Sequence, residues 1–264
     1  MMKRVCIVGL GWLGKELAVA LKKLDHHVIG TSTSATKVDT LERIIDKVKV
    51  FNLNDSDVDF LNGFDLLIYT IPPSSREKYS ELSRLFLEKV LEINPHVIIV
   101  YTSSTSVYGN EERDVDEQSL INPSSASAKK IAELEQYIQQ SFKEWAIFRL
   151  GGLVGDERHP VKYLSGRSIV PKPLAPLNLL HRKDAVRAVL HVLSNFKSGI
   201  YNLCSENHPT KSAYYNTIAN QHKMKAIEFD NNDFSKDKVV NCIAIIESGF
   251  EFNYTSPYDF PFDL

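Results

Sequence analysis

Three glycines near the start of the chain have the spacing of a phosphate-binding turn. Gly9, Gly11 and Gly14 form G-x-G-x-x-G in "VGLGWLG", directly after an apolar run and at the head of a helical pattern. In such a turn the first glycine permits the tight bend, the second lets the backbone approach a pyrophosphate, and the third lets helix and strand pack closely. The helix N-terminus adds N–H donors and the positive end of its dipole. The chemistry this spacing supports is dinucleotide binding, with Trp12 and Leu13 as further contacts inside the turn.

The next strand ends in "GTSTSATK", which bears on the identity of the dinucleotide. Where a carboxylate about twenty residues on would hold an adenosine ribose 2′-OH, this chain has Thr31, Ser32, Thr33 and Ser34, and the nearest charge is Lys37. A carboxylate repels a 2′-phosphate, whereas hydroxyls and an ammonium accept one. NADP(H) is therefore the expected cofactor, with NAD(H) as the alternative because Lys37 also reads as a solvated loop lysine. Asn52 and Leu53, at the end of the third strand, are expected beside the adenine, and Thr70 and Ile71 end the fourth.

A third group of residues faces a substrate. In "GDERHPVKY", Arg158, His159, Lys162 and Tyr163 follow the sixth strand, and cations beside a cleft suit an anionic small molecule. The same residues also read as an ordinary solvated loop. His181 and Asp184 in "HRKDAV" either line the cleft or cap the helix that starts there. The substrate-binding candidates are Arg158, His159, Tyr163 and His181. No Cys or His lies at metal-ligand spacing from His159, so no metal is expected.

These residues need a scaffold that brings strand ends together. Apolar runs at 4–9, 26–31, 48–53, 64–71, 96–103 and 145–152 read as buried strands. Between them Leu13, Leu17, Leu21 and Leu24 share one helical face, as do Leu82, Leu85, Phe86, Val90 and Ile93. Such alternation implies an α/β fold, a Rossmann-type doubly wound parallel sheet whose ligands bind beyond the strands' carboxyl ends. Residues 156–178 carry Pro160, Pro171, Pro173 and Pro176 and read as an irregular excursion. A helix over 181–195 and a strand over 199–204 return to the sheet. The expected organisation is a dinucleotide-binding domain over 1–155, rejoined by 177–204, and a substrate-binding lobe over 156–264.

Composition narrows the partners. Among 264 residues, 31 Lys and Arg stand against 33 Asp and Glu, a net charge of −2 without any block of like charge. Nothing here suggests nucleic acid or a membrane surface. No apolar stretch approaches the roughly 18 residues of a membrane span. Glycines and the pair Lys15 and Glu16 interrupt the N-terminal apolar run, unlike a signal peptide. Cys6, Cys204 and Cys242 are odd in number and scattered. A cytoplasmic protein is expected.

"YTSSTSVYG" at 101–109, the proline-led lysine helix "PSSASAKKIAELE" at 123–135, and "FRLGGLVG" resemble the extended, epimerase-like short-chain dehydrogenases/reductases. Together with "GLGWLG", "GLVGDERHP", "NLLHRKDAV" and "IYNLCSENHP", they are similar to the YeeZ-like branch of atypical members. The resemblance implies that Ser104 hydrogen-bonds a substrate oxygen and that Lys129 binds the nicotinamide ribose. The proton-carrying tyrosine of typical members stands four residues before that lysine, and here the position is Ser125. A phenol starts near a pKa of ~10 and one cation can lower it usefully, whereas an aliphatic hydroxyl starts several units higher. Tyr108 is one candidate substitute, against a structural or substrate-lining role; the resemblance also sets His181 and Asp184 near the cleft as candidates, against capping the helix that starts there. Val8 stands where extended members often carry another glycine. The resemblance also implies a homodimer through helices at about 75–93 and 124–140. The expected function is that of an NADP(H)-binding, epimerase-like reductase of a small molecule; the alternative is a non-catalytic dinucleotide sensor or scaffold.

Overall fold

Val5, Cys6, Ile7 and Val8 have no exposed surface, the condition under which a continuous apolar run becomes a central parallel strand. They make up most of β1 (Arg4–Val8) in a computed structural model that describes residues 3–73, 78–155, 158–166 and 169–262. There follow α1 (Trp12–Lys22), β2 (His27–Ser32), α2 (Val38–Glu42), β3 (Lys47–Val50), β4 (Leu66–Tyr69), α3 (Tyr79–Ile93), β5 (Ile98–Ser104), β6 (Asp114–Val115), α4 (Ala126–Ser141) and β7 (Trp145–Leu150). The chain continues through β8 (Gly152–Val154), α5 (Pro160–Leu164), β9 (Leu179–His181), α6 (Arg182–Ser194), β10 (Gly199–Leu203), α7 (Lys211–Gln221), β11 (Val239–Val240) and α8 (Ile243–Glu247).

Seven strands form one parallel sheet in the order β10-β7-β5-β4-β1-β2-β3, the expected doubly wound α/β architecture. β1 lies between β2 and β4, with Val5 opposite both Val28 and Leu66. The strand order reverses at β1 and β4, and at such a reversal the loops leaving the carboxyl ends separate to leave a crevice. Two smaller pairs, β6 with β11 and β8 with β9, complete the strand pairing among the described residues.

Local departures from the expected elements have local causes. Leu24 does not share the buried face of Leu17 and Leu21: it is 55% exposed, because α1 stops at Lys22 and Asp25 adopts a left-handed conformation with φ 59°. Leu85 likewise points outward on α3, whose buried face is Tyr79, Ser83, Phe86, Leu87 and Val90. The expected strand over 145–152 breaks at Gly151, where a Cβ would sit 2.5 Å from the Asn178 carbonyl oxygen.

The chain divides into two compact units. The first holds residues up to Ser104, Ser125–Phe148 and Val189–Ile200; the second holds Thr105–Ser124, Arg149–Ala188 and Tyr201 onward. In the first, the Glu135 carboxylate, 1% exposed, accepts a hydrogen bond from the Ser103 hydroxyl and ties α4 to β5. In the second, Val154, Val161, Leu177, Leu179, Tyr214 and Ile218 form a core with Phe260. Removing the Ser103 hydroxyl deprives a buried carboxylate of a donor, so Ser103→Ala is expected to lower stability by about 1–3 kcal/mol. The check is a lower denaturant midpoint at unchanged slope.

Candidate functional site

At the carboxyl end of β1 the three glycines separate by what their neighbours require. Gly9 has φ 104°, and a Cβ there would lie 2.9 Å from Thr70 Oγ1. A Cβ on Gly14 would come within 2.2 Å of the Gly9 carbonyl oxygen, so close packing of α1 on the turn excludes any side chain. Gly11 is different. It is the N-cap of α1 with φ −79°, and a Cβ there would meet nothing within 4 Å. The fold's own contacts therefore demand glycine at 9 and 14 and make no such demand at 11. The first turn of α1 carries no acidic residue, and no side chain caps it.

Gly11 opens onto a cavity of about 260 Å³ lined by Gly9, Leu10, Thr31 to Ser34, Lys37, Phe51 and Thr70 to Pro72. Two of its three threonine hydroxyls serve the turn. Thr31 Oγ1 accepts from the Gly9 N–H at 3.0 Å, and Thr70 Oγ1 donates to the Gly9 carbonyl at 2.6 Å. The exposed Lys37, with Ser32, Thr33 and Ser34, forms a rim without a carboxylate. Phe51 packs edge-on against Phe60 at 5.2 Å between centroids, which fixes its ring.

Sequence reasoning missed Leu10, Phe51 and Pro72 in this lining. Asn52 and Leu53 are not part of it: β3 ends at Val50, the Asp55 carboxylate accepts from the Asn52 N–H at 2.7 Å, and Leu53 is buried in the core. Trp12, Leu13 and Gly14 form the first turn of α1 and do not line the cavity. The signal for Phe51 was an aromatic one residue earlier in the same string.

The positions carried over from the resemblance fall on well-defined elements. Ser104 closes β5, and Lys129 projects, exposed, from the start of α4. Ser125 is the N-cap of α4, its Oγ accepting from the Ala128 N–H at 3.1 Å. The residue in the tyrosine's place thus has a structural task of its own. Tyr108 has no exposed surface; its hydroxyl donates to Asn202 Oδ1 at 2.8 Å and accepts from Arg149 Nη1 at 2.8 Å. Burial raises its pKa, opposed by the Arg149 charge. A substrate oxygen cannot reach this phenol without displacing Asn202 or Arg149, which is the environment of a packing residue and not of a proton carrier.

In the second unit the substrate candidates divide the same way. His159 is 2% exposed: Nδ1 accepts from the Val161 N–H at the start of α5, and Nε2 meets the Tyr214 hydroxyl at 2.9 Å. Burial lowers its pKa to about 4. It is a neutral helix cap instead of the expected cation. His181 is also buried, with its pKa lowered by burial; Nδ1 accepts from the Lys183 N–H, and the ring lies 4.4 Å from that of Tyr254. Asp184 accepts from the backbone N–H groups of Asn253 and Tyr254. Arg158 and Tyr163 are exposed. None of the four candidates lines this unit's cavity of about 620 Å³, whose walls include Ile169, Leu174, Asn216, Phe229 and Phe234.

No protein-family model matches the chain. Protein YeeZ of Escherichia coli strain K12 is 32% identical over 278 residues, covering 99% of this chain and 100% of that protein. The chain belongs to the YeeZ-like family of atypical, epimerase-like short-chain dehydrogenases/reductases. Two solved structures share the fold. A conserved protein from Silicibacter pomeroyi has a TM-score of 0.80 at 20% identity, covering 97% of this chain and 95% of that one. MoeE5, solved with UDP-glucuronic acid and NAD, has a TM-score of 0.77 at 16% identity, covering 94% and 93%. No described helix of this YeeZ-like chain is long and apolar enough to cross a membrane.

Two outcomes follow from the geometry. Ser125→Ala removes an N-cap and is expected to lower stability by about 1 kcal/mol, read in chemical denaturation. For His159, whose folded pKa is about 4 against an ordinary 6.5, the unfolded chain binds the extra proton first as pH falls. Stability is therefore full above pH 6.5, declines toward pH 4, and flattens below it. A His159→Asn variant, which can keep the cap without titrating, should lose about 3 kcal/mol or less of that pH-dependent change.

Proposed function

We propose that this chain is a cytoplasmic NADP(H)-binding, epimerase-like reductase of a small molecule, working without the tyrosine of typical members. The observation that carries the reading is Gly11: bare, sterically unneeded by the fold, and at the uncapped start of α1 where a pyrophosphate would meet backbone amides. The cavity lining fits such a group. Ser32, Thr33, Ser34 and Lys37 offer hydroxyls and an ammonium to a 2′-phosphate, and Phe51 offers an apolar ring to the adenine. MoeE5, which shares the fold, was solved with NAD and a nucleotide sugar, which supports a nicotinamide dinucleotide and a substrate of that general class.

A bound nicotinamide supplies hydride transfer. In this reading Ser104 donates a hydrogen bond to the substrate oxygen, and the Lys129 ammonium binds the nicotinamide ribose. Ser125, engaged as a cap, holds α4 and carries no proton. The second unit supplies the substrate-binding lobe, on which Arg158 is exposed. Homodimerisation through α3 and α4 belongs to the same proposal and is supported by the outward-facing Leu85 and the packing of these helices on each other.

A second reading, a dinucleotide sensor that performs no hydride transfer, is favoured by the absence of an accessible phenol at Ser125 and by the buried state of Tyr108. Thermal shifts and turnover separate the two. NADPH should raise the melting temperature more than NADH does, because a ligand stabilises by its affinity for the folded state alone. Lys37→Glu should weaken NADPH by about tenfold or more, ~1.4 kcal/mol, and leave NADH nearly unchanged. Equal responses of wild type and variant to NADPH would remove the case for the 2′-phosphate. Oxidation of bound NADPH by any member of a carbonyl panel supports the enzyme, and binding without oxidation supports the sensor.

A further inference from the structure

The three cysteines look unrelated in the sequence, yet two of them meet in the second unit. Cys204 directly follows β10 and Cys242 is the N-cap of α8, and their sulfurs lie 3.4 Å apart across 38 residues of chain. We propose that Cys204 and Cys242 form a modification site, a dithiol that a peroxide-class oxidant converts to an intramolecular disulfide and a thiol reductant restores.

The sulfurs are already aligned by the backbone. The Cys204 N–H donates to Cys242 Sγ at 3.2 Å, and the Cys204 thiol donates to the Val240 carbonyl at 3.1 Å. Reaching a disulfide length of about 2.0 Å asks each sulfur to move by roughly 0.7 Å. Cys242 is the first to react, because it is 6% exposed where Cys204 is fully buried. Cys204 keeps its proton, because its hydrogen bond with Cys242 and its burial raise its pKa.

In the first step the Cys242 thiol gives its proton to solvent and its sulfur attacks one peroxide oxygen; the O–O bond breaks, Cys242 becomes a sulfenic acid, and the other oxygen leaves as hydroxide, which takes up that proton to become water. In the second, the Cys204 sulfur attacks the sulfenic sulfur, the S–O bond breaks, and the hydroxyl leaves as water with the Cys204 proton. Two thiols have lost two electrons and two protons, and the peroxide has become two waters. The new bond spans elements already joined by Asn202 Nδ2 donating to the Asn241 carbonyl at 2.9 Å, and by the Glu117 carboxylate accepting from the Asn202 and Ala244 N–H groups. It reinforces the frame that holds Asn202 against the Tyr108 hydroxyl. Because the native positions barely change, the cross-link stabilises the fold chiefly by restricting the unfolded chain.

The full-length chain is treated with hydrogen peroxide, then denatured, alkylated with iodoacetamide and weighed. Reduced protein takes three alkyl groups, one per cysteine. Oxidised protein should be two hydrogens lighter before alkylation, take a single group on Cys6, and revert with dithiothreitol. Its melting temperature should rise by about 5–15 °C, a rise that Cys242→Ala, treated alike, does not show. Three alkylated cysteines after peroxide, a pairing that involves Cys6 or a second chain, over-oxidation of one sulfur without pairing, or a disulfide that leaves the melting temperature unchanged or lower would each overturn the proposal.

Discussion

One residue, Gly9, joins the elements around the cavity at the end of β1. Its N–H is held by Thr31 at the end of β2, its carbonyl by Thr70 beyond β4, and the missing side chain of Gly14 lets α1 close on it. Two of the four elements meeting here are strands neighbouring β1 in the sheet, so the turn's shape is fixed by the sheet's register before any ligand arrives. The two threonine hydroxyls are consumed in building it. The cavity is lined besides by Gly11, Thr33, Lys37 and by Ser32 and Ser34, whose hydroxyls also bond within the loop: Ser32 Oγ accepts from the Ser34 N–H at 3.2 Å, and Ser34 Oγ meets Thr36 Oγ1 at 2.8 Å.

The same economy of hydroxyls explains why the proton-transfer group is hard to find. Ser125 spends its oxygen on the start of α4, and Tyr108 spends its phenol on Asn202 and Arg149. At these two positions the side chains hold the start of a helix and a loop. Ser104 and Lys129 occupy the two remaining positions of the expected set, one at a strand end and one at the start of a helix.

Much of this was legible in the chain. Apolar runs of six to eight residues marked the sheet because parallel strands are buried on both faces, and G-x-G-x-x-G marked the turn because contact demands glycine at its first and last positions. What escaped depends on context beyond the local pattern. Leu24 fits a helical face, but the left-handed Asp25 ends the helix before it. Phe51 was passed over for Asn52 because the strand's end is set by the Asp55 turn. His159 reads as a cation beside Pro160, yet that proline starts a helix and the imidazole turns inward to cap it. Cys204 and Cys242 are separated by 38 residues and have no local signal at all.

The central claim is that a nicotinamide dinucleotide rests on the amides at Gly11. Titration of NADPH fluorescence against wild type and Gly11→Asp tests it directly, since a Cβ there meets no protein atom within 4 Å and aspartate is a favoured helix N-cap. The expected result is saturable binding to wild type and none to Gly11→Asp, with the variant's melting temperature in the absence of cofactor unchanged or raised. Wild type that takes up neither nicotinamide coenzyme, or a variant that binds as wild type does, would contradict it.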